Sequence, residues 1–142
     1  MNILVVEDDP AEAELALEAL EQVDSSAKVS VVNDGVAAMA FLRREDPFAA
    51  VKLPDLILLD LNLPRKDGRA VLAEIKTDEE LKHIPVIVLS NSDSEDDITH
   101  VYRNNGNCYV VKPPDMQGMF GFVESLKSFW GERVQFSPVV TK

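Results

Sequence analysis

Short apolar runs recur along the chain, and each stops abruptly at a polar side chain. Ile3-Leu4-Val5-Val6 gives way to Glu7-Asp8-Asp9, Leu56-Ile57-Leu58-Leu59 to Asp60, Val86-Ile87-Val88-Leu89 to Ser90, and Cys108-Tyr109-Val110-Val111 to Lys112-Pro113. Runs of this length, rich in β-branched residues and leucine, predict buried strands. Between them the apolar positions take helical spacing: Ala13, Ala16, Leu17 and Leu20; Val36, Met39, Ala40 and Leu42; Val71, Leu72 and Ile75; Ile98, Val101 and Tyr102. The pattern predicts strands over about 3–7, 28–33, 56–60, 84–90 and 108–112, each followed by a helix. Helix starts are marked as well. Asp9 stands as N-cap before Pro10, with Glu12 placed to close a capping box. Asp34, Ser94 and Asp115 precede the second, fourth and last helices.

Strand and helix alternating in this way predict an α/β fold. Five βα units in one small chain predict a doubly wound five-stranded parallel sheet of flavodoxin-like order 2-1-3-4-5, with helices on both faces. Right-handed crossovers put helices one and five on one face and two, three and four on the other. The 142 residues suit a single domain, expected over 1–134 with a tail over 135–142 and no room for an output domain.

Charge narrows the partners. Asp and Glu outnumber Lys and Arg by 25 to 14, for a net charge of −11, so a phosphate backbone would be repelled and no nucleic acid is expected. The single cysteine, Cys108, excludes an internal disulfide and reads as a small strand residue. His83 and His100 have no metal-like partner spacing and read as surface histidines. No leader pattern opens the chain, and no apolar stretch approaches the about 20 residues that span a bilayer. A cytoplasmic protein without membrane contact is expected.

The chemistry follows from the strand ends, because parallel strands all finish at one edge of the sheet. Asp8 and Asp60 could each give an oxygen to Mg²⁺, Glu7 could hold a metal-bound water, and Asn62 could offer its backbone carbonyl. Asp60 is also the nucleophile candidate, since a carboxylate can take a phosphoryl group as an acyl phosphate. Charge neutralisation is the main need of such a transfer, and Lys112 and the Ser90 hydroxyl would supply it opposite the metal. Pro113 makes the Lys112–Pro113 bond a candidate for the cis form, which would aim the lysine into the pocket.

In this order the residues strongly resemble the receiver domain of bacterial two-component response regulators. The resemblance spans residues 3–113: the acidic pair Glu7-Asp8, the segment Pro54-Asp55-Leu56-Ile57-Leu58-Leu59-Asp60-Leu61-Asn62-Leu63-Pro64 with Asp67-Gly68, Ser90, and Lys112-Pro113. It implies that Asp60 is phosphorylated by a sensor histidine kinase with Mg²⁺ as cofactor, and that Ser90 and Tyr109 are paired switch residues. It also implies a signalling protein rather than an enzyme, with at most slow self-dephosphorylation. Two positions depart from the common pattern: Ser90 stands for the usual Thr, and Asn91 follows where a small residue is usual and would narrow access to the phosphoryl group. A narrower likeness, carried by Asn107-Cys108-Tyr109 and Phe129-Trp130, is to stand-alone receivers that serve phytochrome-type kinases. Members of that group are similar in dimerising through the face of helix four, strand five and helix five.

Apolar residues at the end of the chain agree with a homodimer. Phe129, Trp130, Val134, Phe136, Val139 and Val140 exceed what one sheet face can cover, which marks a partner surface. Two other functions share parts of the pattern. A metal-dependent phosphohydrolase of the haloacid dehalogenase type also uses an aspartyl nucleophile, yet Asn62 stands where its general acid would be. A flavin carrier of the same fold needs a first loop that cradles phosphate, and Glu7-Asp8-Asp9 would repel it.

Overall fold

The computed structural model describes residues 1–138; Val139 and Val140 lie outside them. The strands are β1 (Asn2–Val6), β2 (Lys28–Val32), β3 (Leu56–Leu59), β4 (Val86–Ser90) and β5 (Cys108–Val111). They alternate with α1 (Pro10–Val23), α2 (Gly35–Leu42), α3 (Gly68–Thr77), α4 (Glu95–Arg103) and α5 (Met116–Leu126), and α5 runs into a π-helical turn, Lys127–Gly131. All pairings are parallel and the order is β2-β1-β3-β4-β5, as expected.

Period-two alternation along the central strands divides the core in two. Leu4, Val6, Ile57, Leu59, Val86 and Val88 face α2, α3 and α4 through Met39, Phe41, Leu72, Ile75 and Val101. Ile3, Val5, Leu56, Leu58, Ile87 and Leu89 face α1 and α5 through Leu20, Met119, Val123 and Leu126. Because β1, β3 and β4 are covered on both sides, they are apolar at nearly every position, as buried parallel strands are. Among the helix positions expected to face the core, Val36 and Tyr102 are instead 40% and 50% exposed. On α4 only Val101 is buried, so this helix packs through one narrow contact.

The helix caps follow the sequence. Asp9 accepts from the amides of Ala11 (2.9 Å) and Glu12 (3.4 Å), Asp34 from Ala37, Ser94 from Asp97 and Asp115 from Gly118. Each satisfies an amide that the first helical turn leaves unpaired. The box expected at Asp9 does not close, however, because the Glu12 carboxylate turns to Lys112.

At the far end of α5, Trp130 packs half-buried against the α1–α5 core and stacks on Phe136 with centroids 6.3 Å apart. Val134 is half-buried too, while Phe129 is 58% exposed. Of the four described residues expected at a dimer interface, Phe129 is therefore the exposed one, its ring edge-on to Trp130 with centroids 5.9 Å apart. Another expectation fails here: the cis peptide among the described residues is Asp46–Pro47, and Lys112–Pro113 is trans. Lys112 needs no such turn, because its four-carbon stem reaches the pocket directly from the end of β5.

Candidate phosphoryl and metal site

Except for β4, which ends at Ser90 as predicted, the strands end one residue earlier than the sequence pattern predicts, yet Glu7, Asp60 and Lys112 stay pinned to the sheet. The amide of Glu7 donates to Val32 O, that of Asp60 to Val6 O and that of Lys112 to Ser90 O. These bonds fix the backbones of three functional residues at one edge. The approach of the next loop is just as tight. A Cβ on Gly68 would lie 2.1 Å from the Asp60 carbonyl oxygen, so only glycine lets α3 begin there.

Glu7, Asp60 and Ser90 are the buried polar residues among those described, at 5%, 7% and 0% exposure. Oxygens of Glu7, Asp8 and Asp60 lie within 4.8 Å of one another, with Asp8 on the solvent side. Lys112, its side chain 6% exposed, threads between the acids and donates to Glu7 (2.6 Å), Glu12 (2.5 Å) and Asp60 (3.3 Å). Burial raises the Glu7 carboxyl to about 8, a rise that the Lys112 hydrogen bond limits and the Asp60 charge adds to. Burial works to lower the Lys112 ammonium, but its bonds to Glu12 and Glu7 and the charge of Asp60 outweigh it, and its pKa is raised. Glu12 is drawn the other way: burial opposes its charge, and the Lys112 bond holds it below the usual carboxylate value. An acid group this concentrated and this desolvated has too few positive partners of its own. Its all-oxygen donor set suits a hard divalent cation.

Asp60 is held for chemistry on its outer side. One carboxylate oxygen accepts from the Asn62 amide at 3.2 Å, and the other faces Lys112. Ser90 Oγ accepts from the Ser92 amide (3.2 Å), and the Ser92 carbonyl accepts from the Tyr109 hydroxyl (2.7 Å). The two expected switch residues are thus joined through the β4–α4 loop, and Tyr109 lies turned inward against the core beneath α4.

Sequence reasoning missed what anchors that loop. Asp97 accepts from Arg69 of α3 at 2.6 Å and from the Ser92 hydroxyl at 2.7 Å. The Arg69 and Ser92 bonds hold the Asp97 carboxyl below its usual value. The acidic run at 93–97 reads as a helix start, which Asp97 also serves, and nothing local points to Arg69. The histidine reading also needs correction, because His83 Nδ1 is buried without a partner among the described residues. It lies by a cavity of about 330 Å³ at the opposite edge of the sheet, with Arg44, Lys52 and Phe136. Burial raises the Cys108 thiol, which favours its neutral form over the reactive thiolate.

Comparisons with known proteins agree with this geometry. Residues 3–124 match the response regulator receiver domain. The chain is 46% identical over 132 residues to response regulator Rcp1 of Synechocystis, covering 93% of this chain and 90% of that protein. The fold superposes on the phosphorylated cyanobacterial phytochrome response regulator RcpA with a TM-score of 0.91 and 48% identity, over 97% of this chain and 98% of that one. It superposes on the Mn²⁺-bound form of Rcp1 with a TM-score of 0.88 and 44% identity, over 96% and 98%. No helix among the described residues is long and apolar enough to cross a membrane. With the acids, the lysine and the hydroxyl assembled on the predicted sheet edge, and with these likenesses over nearly the whole length, the chain belongs to the response regulator receiver domain family.

Proposed function

We propose that Asp60 is the phosphoacceptor of this receiver, that Mg²⁺ is its cation, and that a phytochrome-type sensor histidine kinase is its donor. The observation that carries the proposal is the pairing of buried Asp60 with Lys112 beside Glu7 and Asp8. Asp8 and Asp60 would hold the cation directly, Glu7 through water and Asn62 by its backbone carbonyl. Bound there, it neutralises charge on the transferred group. In the transfer an Asp60 oxygen bonds phosphorus as the P–N bond of the donor phosphohistidine breaks, and the imidazole leaves with the electron pair and takes up a proton. Lys112 and the Ser90 hydroxyl bond phosphoryl oxygens. Drawing Ser90 toward the new group frees the Ser92 amide and moves the loop that holds Tyr109. The link to a phytochrome kinase is supported by the Rcp1 and RcpA likenesses. The phosphohydrolase alternative is not favoured, since Asn62 gives no general acid and the family is a signalling one. Self-dephosphorylation is expected to be slow for the same reason, since Asn62 can neither give nor take the proton.

Intact-mass measurement after incubation with acetyl phosphate tests this reading. One phosphoryl group is expected with Mg²⁺ and none after chelation. Labelling that persists in a chelator would remove the metal from the mechanism.

Output through a homodimer is part of the proposal. Tyr102, Val111, Met116 and Phe129 are four of the five exposed large apolar residues among those described, and they belong to α4, β5, α5 and its π-helical extension. That surface fits a second copy related by a two-fold axis. Light scattering over a dilution series is expected to show two chains at micromolar concentration, and Phe129→Ala to loosen the pair while Asp60 still labels. One chain at every concentration, with and without phosphoryl transfer, would exclude the dimer.

A further inference from the structure

The most unusual contact at the site is made by a residue outside the acidic group. Glu12 sits in the first turn of α1, where the sequence gives it a local task. It bonds instead to Lys112 Nζ, 100 positions away, at 2.5 Å. That is as close as Glu7 at 2.6 Å and much closer than Asp60 at 3.3 Å. An ammonium has three protons, so these three carboxylates use all of them. Two are committed at short range to carboxylates other than Asp60.

Glu7 cannot be spared, because it shares the acid group with Asp8 and Asp60. Glu12 lies outside that group, and its side chain is 35% exposed at the mouth of the pocket. Two effects of its charge run in the same direction. It holds the lysine toward α1, and it adds a negative charge beside the path of an anionic donor.

We propose that Glu12 is a positioning residue that restrains Lys112 and thereby slows phosphoryl transfer from small donors to Asp60. This rests on Asp60 being the acceptor, and the test separates the two claims. Initial rates of labelling by acetyl phosphate at saturating Mg²⁺ are compared for the wild type, Glu12→Gln, Glu12→Asp and Asp60→Asn. Melting curves and calorimetric Mg²⁺ affinities are taken alongside without donor.

Glu12→Gln keeps the shape and a similar helix propensity. Its rate is expected to rise roughly five- to twentyfold, the range that losing one nearby, partly screened charge allows. Its melting curve and Mg²⁺ affinity are expected to stay unchanged. Glu12→Asp keeps the charge and is expected to remain close to wild type. Equal or slower labelling of Glu12→Gln with an unchanged melting curve would overturn the inference. So would weakened Mg²⁺ binding, which would make Glu12 part of the metal site, or a Glu12→Asp rate equal to that of Glu12→Gln. If Asp60→Asn labels, the acceptor assignment itself has failed. If Asp60→Asn is silent and Glu12→Gln is no faster, only the role of Glu12 has.

Discussion

Asp60→Asn is expected to take no label from acetyl phosphate at any Mg²⁺ concentration. An amide oxygen lacks the charge to attack phosphorus, so the question is whether a neighbouring acid can stand in. Glu7 is badly placed: it is 5% exposed, is raised to about 8, and has one oxygen on Lys112 and the other accepting from the Asp9 amide. Asp8 is accessible, but among the described residues no lysine or arginine bonds it to neutralise an attached phosphoryl group, since Lys112 bonds Glu7, Glu12 and Asp60. Only Asp60 combines an oxygen facing Lys112 with a second oxygen held by the Asn62 amide. Transfer depends on charge neutralisation and alignment more than on basicity, so the neighbours fail on geometry. The variant should keep the wild-type fold, because Asn can still accept from the Asn62 amide and its charge is removed from a crowded acid group. A full mole of label on folded Asp60→Asn would mean that Asp8 or another residue is the true acceptor.

The fold and the centre of the site were legible because both rest on local patterns. Leu56 to Leu59 is apolar at every position, and Asp60 breaks the run. A buried parallel strand with a functional end looks like that in sequence whatever surrounds it. The order of the sheet and the division of helices between its faces followed from the handedness of the crossovers. Contacts between elements distant in the chain were not legible. Glu12 has a sound local reading as a capping residue, and only the folded chain shows that Lys112 competes for it. Arg69 and Asp97 are ordinary surface residues of two helices until the loop at Ser92 lies between them. Trp130 fits an exposed stripe by spacing, but the π-helical turn shifts the register and lays its ring on the protein's own core. The trans bond at Lys112–Pro113 belongs with these cases: a proline permits cis, and the surrounding structure selects the isomer.

Lys112→Met is the second large effect expected, and it acts on the whole fold as well as on the site. Methionine replaces the length and apolar stem of the lysine while removing its charge. In the wild type the ammonium is, among the described residues, the one cation bonded to Glu7 and Asp60, both more than nine-tenths buried. Without it the two carboxylates and Asp8 repel one another in a medium that cannot solvate them. Breaking a buried ion pair from one side costs about 3–5 kcal/mol. The loss should fall at the lower end, because Asp8 opens to solvent and the raised Glu7 carboxyl can hold a proton. In a domain of this size about 3 kcal/mol corresponds to a melting temperature lower by roughly 6–12 °C. Mg²⁺ gives the sharper part of the test. A ligand that binds only the folded state stabilises it in proportion to its affinity, and the variant's acid group lacks the competing ammonium. Added Mg²⁺ should therefore raise the melting temperature of Lys112→Met by more than it raises that of the wild type. Labelling should nonetheless stay far below wild type, because the lysine's bond to the phosphoryl oxygen is gone. An unchanged melting temperature without metal, together with an equal Mg²⁺ shift in both proteins, would show that Lys112 is a strand-end lysine with no part in balancing the acids.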